Sequence, residues 1–363
     1  MLNPAGSVVP ICTLAVDAMG GDHAPEAIVR GVDIAAERHP GVKFLLFGQE
    51  AALVPLLRRH KRAAAHSEIR DAREVVGNDM KAAAAVRLRG TSMRAAIDAV
   101  AGGHASGVVS AGNTGALLAL AKIVLKALPG IDRPALAAIM PSARGDTVML
   151  DVGANASCDS RNLVEFAVMG DVFARTVLGL TTPRVGLMNV GAEELKGDER
   201  VREAADILRG TYLAPNFHGF VEGTDIASGT TDVIVTDGFS GNVALKTAEG
   251  AVKLVLQMLR SVFTASIATR MGYVLARPGL ERLREMIDPR RYNGAMMLGL
   301  NGVVVKSHGG TDAQGFAYAL DLAIDMAANS FNDRIRDGLA RIVDSGALGA
   351  REGGKAPRMA AGS

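Results

Sequence analysis

Five short stretches carry the residue types from which a site could be assembled. They are Asp17-Ala18-Met19-Gly20-Gly21-Asp22-His23, Ser110-Ala111-Gly112-Asn113-Thr114, Asp151-Val152-Gly153-Ala154-Asn155, Asp237-Gly238-Phe239-Ser240-Gly241-Asn242, and Lys306-Ser307-His308-Gly309-Gly310-Thr311-Asp312. Glycine admits close backbone approach, Asn, Ser and Thr offer neutral donors, and Asp can orient them. Lys306 and His308 add a cation and an imidazole. Such a set suits a small anion, phosphate above all.

Each stretch follows a short apolar run, at 14–16, 108–109, 148–150, 233–235 and 303–305, and precedes a helical pattern. That alternation is the signature of βα units around a mostly parallel sheet. Any one stretch alone reads as an ordinary βα turn. In an open parallel sheet such turns gather at the carboxyl end of the strands, where helix N-termini also point their N–H groups. The expectation is therefore one site, built from five turns at one end of a sheet.

What is missing excludes other chemistries. No two glycines are separated by a single residue, so the GxGxxG dinucleotide fingerprint does not occur. Gly354-Lys355 is followed by Ala356, which leaves no P-loop, and Gly241 falls one place too early after Ser240 for a serine-hydrolase elbow. The histidines lack HExxH spacing, and Cys12 and Cys158 give neither a disulfide framework nor a CxxC pair. No metal and no cofactor are expected. With 4% aromatic residues and no Trp there is little for stacking nucleic-acid bases, and a net charge of +2 supplies no general pull toward a polyanion. The length of 363 residues suits a single α/β domain over 11–345 with a disordered tail over 346–363. The first residues read as a frayed leader and not as a signal peptide.

Longer strings narrow the reading. LAVDAMGGDHAPEAIVRG (14–31), VVSAGNTGALLALAK (108–122), LPGIDRPALA (128–137), LDVGANASC (150–158), VGLMNVGAEELKG (185–197), VIVTDGFSGNVALKTAEG (233–250) and GLNGVVVKSHGGTD (299–312) resemble, in order, the PlsX family of bacterial phosphate acyltransferases. The sequence departs from that family at Gly77-Asn78-Asp79-Met80-Lys81, where an acidic-Pro stretch is usual, and at His218.

The resemblance implies a three-layer α/β/α fold of the isopropylmalate-dehydrogenase type, with a projecting helical tip at about 250–292. It implies transfer of an acyl group from acyl carrier protein to inorganic phosphate, giving an acyl phosphate for a membrane glycerol-3-phosphate acyltransferase. It also implies a homodimer in the cytoplasm, in reversible peripheral contact with the inner face of the membrane. An acetyl-CoA-using phosphate acetyltransferase and a dehydrogenase of the same fold are the rival readings.

Phosphate is itself the nucleophile in the implied reaction, so no activated Ser or Cys is needed. Asn113, Thr114 and Asn242 are expected to touch phosphate or oxyanion, while Lys306 and His308 neutralise charge or move a proton. Asp17, Asp151 and Asp237 orient donors. Gly20, Gly21, His23, Ser110, Asn155 and Ser240 complete the candidate set, and Cys158 is read as structural. Two basic clusters, at Arg58-Arg59-His60-Lys61-Arg62 and at Arg282, Arg284, Arg290 and Arg291, are candidates for docking an acidic carrier protein. The apolar stripe Val252, Val255, Leu256, Leu259, Val262, Phe263 and Ile267 has helical spacing and forms the expected tip.

Overall fold

The computed structural model describes residues 12–286, 290 and 292–347, so the leader and nearly all of the tail lie outside the described residues. In chain order the strands are β1 (Thr13–Asp17), β2 (Lys43–Gly48), β3 (Ser67–Asp71), β4 (Gly107–Ser110), β5 (Ala135–Ser142) and β6 (Gly145–Leu150). Then follow β7 (Val185–Met188), β8 (Phe217–Val221), β9 (Val233–Val235), β10 (Ala295–Leu298) and β11 (Val303–Lys306). The helices begin with α1 (Glu26–Arg38), α2 (Glu50–Arg59), α3 (Lys61–His66), α4 (Ala82–Ala85), α5 (Ser92–Ala101), α6 (Thr114–Leu125) and α7 (Ser160–Val177). They continue with α8 (Glu199–Arg209), α9 (Gly223–Ser228), α10 (Gly238–Thr264), α11 (Ile267–Met286), α12 (Ala313–Ala328) and α13 (Phe331–Asp344).

These strands join one 11-stranded sheet in the order β3-β2-β1-β4-β11-β10-β5-β6-β9-β7-β8. The first five of that order are mutually parallel, and so are the last four. Between the two blocks β10 is antiparallel to β11 and to β5, and β5 is antiparallel to β6. The short links from β5 to β6 and from β10 to β11 are hairpins, which can join only antiparallel strands. Three reversals in succession leave the second block running opposite to the first.

This topology corrects the expectation of one gathering place. The turns after β1, β4 and β11, with Asp17, Ser110 and Lys306, lie at one end of the sheet. Those after β6 and β9, with Asp151 and Asp237, lie at the other. The carboxyl-end rule assumes uninterrupted right-handed crossovers, and the two hairpins break that sequence.

Alternation of side chains across the strands builds the three layers. Leu14, Val16, Phe44 and Leu46 face α1, α7 and α12, burying Ile28, Val32, Phe166 and Phe316 among them. Ala15, Val108 and Val304 face the other way, onto Ile97 of α5 and Leu117 and Leu120 of α6. In the second block Met149 and Ile234 meet Ile226 of α9 and Ala244, Leu245 and Ala248 of α10. Each large apolar side chain buried this way contributes about 1.5–3 kcal/mol against chain entropy. The expected α/β/α class is therefore the observed one.

Helix α10 starts where Asp237 caps it, the carboxylate accepting from the Ser240 backbone N–H at 2.8 Å. It runs back over the sheet toward the opposite end and then continues past it, exposed on both flanks from Gly250 to Met258. The chain breaks at Ala265 and Ser266, where the Ser266 hydroxyl accepts from Thr269 N–H at 3.1 Å and starts α11. The expected tip is thus two helices, with Phe263 edge-on to Tyr273 at 5.6 Å between ring centres. Leu259 and Phe263 of the sequence stripe are half-buried, whereas Leu254, Val255, Met258 and Val262 are exposed.

Candidate active site

At the first end of the sheet Asp17 is fully buried and anchors three segments. Its carboxylate accepts from the Ser92 hydroxyl at 2.6 Å and the Ser110 hydroxyl at 2.7 Å, and the Ser110 oxygen in turn accepts from Gly112 N–H at 3.1 Å. Burial raises the Asp17 pKa, against which the Ser92 and Ser110 hydrogen bonds act. Gly20 passes so close that a Cβ there would stand 2.5 Å from the Asp17 carboxylate and 2.7 Å from Gly112 N, so no larger residue fits. Gly21 follows at φ +107°, a conformation glycine alone adopts without strain. His23 is exposed at the start of α1.

Lys306, 9% exposed, ends β11 beside this turn. Its ammonium donates to the carbonyls of Ala111 (3.4 Å) and Ser307. Burial draws its pKa down to about 8, partly offset by the nearby carboxylates of Asp17 and Asp22 and reinforced by Lys246. His308 is exposed, but its backbone N–H is fixed by Asn293 Oδ1 at 2.8 Å. The same Asn293, 4% exposed, donates to the Ser307 and Thr311 hydroxyls at 2.9 and 2.7 Å, which sets the turn. Loss of solvent on one side lowers the His308 pKa, with Lys246 and Lys306 adding to that and Glu249 opposing it.

Asn113 joins α6 to the 77–80 loop. Its Oδ1 caps α6 by accepting from Ala116 N–H at 3.0 Å, and its amide donates to the Asn78 and Met80 carbonyls at 2.7 and 3.0 Å. The side chain is engaged in holding the 77–80 loop. That loop, where the sequence departs from the family pattern, also reaches the Asp17 turn, since Asn78 donates to Asp22 at 2.7 Å. Thr114, the first residue of α6, is exposed.

At the second end Asp151 is buried and saturated. Its oxygens accept from the backbone of Leu136, Gly153, Ala154 and Asn155 and from the Asn155 amide, all between 2.7 and 3.0 Å. Asn155 itself is 7% exposed and also donates to the Pro134 carbonyl at 2.8 Å. Both residues shape the turn on which α10 begins. Asp237 and Ser240 form the cap and line a cavity of about 320 Å³ together with Cys158, Asn189 and Arg200. Burial, then Asp151 and Asp237, push the Cys158 thiol up to about 12. A thiol held so far above neutrality is inert as a nucleophile, in keeping with the structural reading of that residue.

Helix α10 reunites the two ends. The exposed Asn242 stands against Gly153, 3.8 Å from where a Cβ there would sit. Four residues on, and so on the same helix face, comes Lys246. Its ammonium donates to Glu249 at 2.9 Å, and the other Glu249 oxygen lies 3.7 Å from His308 Nε2. Ser92, Asn293, Lys246 and Glu249 were not singled out by the sequence reading. For Lys246 and Glu249 a signal existed: both fall within 233–250, on the helical face of Asn242. Ser92 and Asn293 act at long range in sequence and carry no local signal. Among the described residues no three His, Cys, Asp or Glu side chains stand together as a metal site.

Comparison with known proteins follows the motifs. The profile of the fatty acid synthesis protein family matches residues 12–334. The phosphate acyltransferase of Granulibacter bethesdensis is 69% identical over 331 residues, covering 91% of this chain and 90% of that one. That of Acidiphilium cryptum is 65% identical, covering 91% and 87%. Among solved structures, a phosphotransacetylase from Streptococcus pyogenes superposes with a TM-score of 0.59 at 19% identity, over 87% of this chain and 94% of that one. A branched-chain phosphotransacylase from Enterococcus faecalis does so with a TM-score of 0.52 at 13% identity, over 87% and 99%. At such identities the likeness is one of fold. With the family profile spanning its described core and such relatives along nearly its whole length, the chain belongs to the fatty acid synthesis protein family of acyltransferases.

Proposed function

We propose that this chain transfers a fatty acyl group from acyl carrier protein to inorganic phosphate, yielding acyl phosphate for phosphatidic acid and phospholipid synthesis. One observation carries the reading. A single face of α10 presents Asn242 beside the Asp151 turn and, one turn later, Lys246 beside Lys306 and His308. A neutral donor and a group of basic side chains thus border one stretch of helix, on the scale of a thioester carbonyl and a phosphate.

In this reading Lys306, Lys246 and His308 hold phosphate, and a phosphate oxygen attacks the thioester carbon. The Asn242 amide faces the oxygen of the tetrahedral adduct; one such donor is worth about 10² to 10³ in rate. The adduct collapses with loss of the carrier thiolate, which leaves with little assistance because its parent thiol has a pKa of about 8.5. The proton carried by phosphate ends on the departing sulfur, through His308. No acyl-enzyme forms, which fits a Cys158 thiol held at about 12. Asp17, Asp151 and Asp237 act through the segments they hold.

The proposal extends to a homodimer and to reversible contact with the inner face of the membrane, beside a glycerol-3-phosphate acyltransferase that consumes the product. The exposed apolar side chains of α10 and α11, among them Leu254, Val255, Met258, Ile267 and Leu275, support such contact. No helix among the described residues is long and apolar enough to cross a membrane. For carrier docking, the first basic cluster is partly neutralised, Arg59 by Glu26 at 3.4 Å and Arg62 by Glu37 at 2.9 Å. In the second cluster Arg291 and the side chains of Arg282 and Arg284 lie outside the described residues, and Arg290 pairs with Asp312 at 3.4 Å.

The test is to incubate the protein with acyl carrier protein thioester and phosphate and to trap acyl phosphate with hydroxylamine. Phosphate-dependent formation of the hydroxamate is expected. Turnover of acetyl-CoA in place of the carrier thioester would replace this reading with an acetyltransferase, and no product from either would reject both.

A further inference from the structure

We propose that Glu249 is a positioning residue that ties Lys246 to His308, so that α10 and the turn after β11 form one cationic site for phosphate. The inference rests on the reading that phosphate binds along this face of α10. It goes further by naming how the site is assembled from two walls that belong to opposite blocks of the sheet.

Lys246 and His308 come from elements with no covalent reason to meet. Lys246 is a long, exposed side chain with rotamer entropy to lose, and nothing in the helix itself aims it at β11. Glu249 aims it. One carboxylate oxygen accepts from the Lys246 ammonium at 2.9 Å, while the other faces His308 Nε2 at 3.7 Å, an ion-pair distance when the imidazole is protonated. Without a carboxylate between them, Lys246, Lys306 and His308 repel one another, and each is less ready to hold its proton. Glu249 therefore does two things: it fixes the spacing of the cations, and it keeps His308 protonated to a higher pH than its neighbours alone would allow.

The groups that face His308 set the sign of every expected change. From α10 these are Lys246 and Glu249, and from β11 Lys306. Asp22 comes from the turn after β1, beside Gly309 and Gly310, and Asp312 begins α12. The Glu249 carboxylate meets groups from both sides of the cleft, Lys246 of α10 and His308 of the turn after β11. Because the pair is partly solvent-exposed, the effect on affinity is modest: removing a link of this kind changes binding by about two- to fivefold.

The experiment measures the His308 ring pKa by NMR, assigned with His308→Gln, and the binding of inorganic phosphate by calorimetry, in the full chain. In Glu249→Gln the His308 pKa is expected to fall and phosphate to bind about two- to fivefold more weakly. In Lys246→Gln phosphate binding is expected to weaken as well, but the His308 pKa should rise, because a cation is removed and Glu249 remains. A merely structural role for Glu249 would move both readouts in the same direction in both variants. Unchanged His308 titration and phosphate affinity in Glu249→Gln would overturn the proposal, as would pKa shifts of equal sign in the two variants. Neither measurement needs an acyl donor. Absence of acyl transfer with the shifts present would sink the catalytic reading alone, and acyl transfer with no shifts would sink this inference alone.

Discussion

Asn242 and Lys246 stand one turn apart on a single face of α10, the first against Gly153 and the second joined through Glu249 to His308. The helix begins at one end of the sheet and reaches the other, so it brings the Asp151 turn and the Lys306 turn to a common surface. In the proposed reaction both turns contribute to one site, although the observed strand order places them at opposite ends of the sheet.

Lys306 gives the site its expected pH dependence. With its pKa drawn down to about 8, the ammonium is charged below that pH and neutral above it. The KM for phosphate should therefore rise as pH passes through about 8, with a smaller change in kcat. Lys306→Arg stays charged throughout and should lose this limb, and Lys306→Ala should lower phosphate-dependent turnover by at least about tenfold below about pH 8, the difference from the wild type narrowing above it. The same depression has a consequence for folding: between about 8 and the ordinary lysine value the unfolded chain holds more protons, so this group makes stability rise with pH across that window. A phosphate KM flat from pH 7 to 10 would remove Lys306 from the site.

Cys158 and Asn242 should behave as opposites. A thiol held at about 12 offers almost no thiolate at neutral pH, so Cys158→Ser is expected to keep activity within about twofold. Asn242→Ala removes an amide felt mainly in the transition state and should cost at least about tenfold in kcat with the fold intact. Mass spectrometry of the protein quenched during turnover should show no acyl adduct on Cys158. An acylated Cys158, or full activity in Asn242→Ala, would reverse the assignment.

Gly241→Ala should destabilise the chain more than any nearby surface change. A Cβ at Gly241 falls inside contact distance of the Asp151 backbone carbonyl, which the surrounding hydrogen bonds to Asp151 prevent from moving. Overpacking of this kind costs about 1–3 kcal/mol. It should appear as an earlier urea midpoint with an unchanged slope, and a wild-type midpoint would show that the α10 start is looser than it looks.

Met258→Glu and Val262→Glu test the apolar tip at exposed positions, 57% and 58% accessible, without disturbing Phe263 against Tyr273. Binding to anionic liposomes is expected to fall sharply, with dimer mass and activity on soluble thioester unchanged. Conversion to monomer would instead place this face in the dimer interface.

The sequence by itself determined the chemistry and the class of fold. Apolar runs ending in Asp17, Ser110, Asp151, Thr236 and Lys306 specify strands that feed helices, and the strings around them specify the family, because both signals are local. It did not determine where those turns lie relative to one another. The hairpins at 143–144 and 299–302, together with the antiparallel pairing of β10 with β5, reverse the sheet between its two blocks, and the direction of a strand depends on which neighbour it pairs with, a long-range choice that no window of sequence contains. For the same reason the contact of the Asn113 amide with the 77–80 loop is not legible in the sequence. Lys246 and Glu249, ordinary as a helical i, i+3 pair, gained their place only when α10 crossed the sheet and met His308.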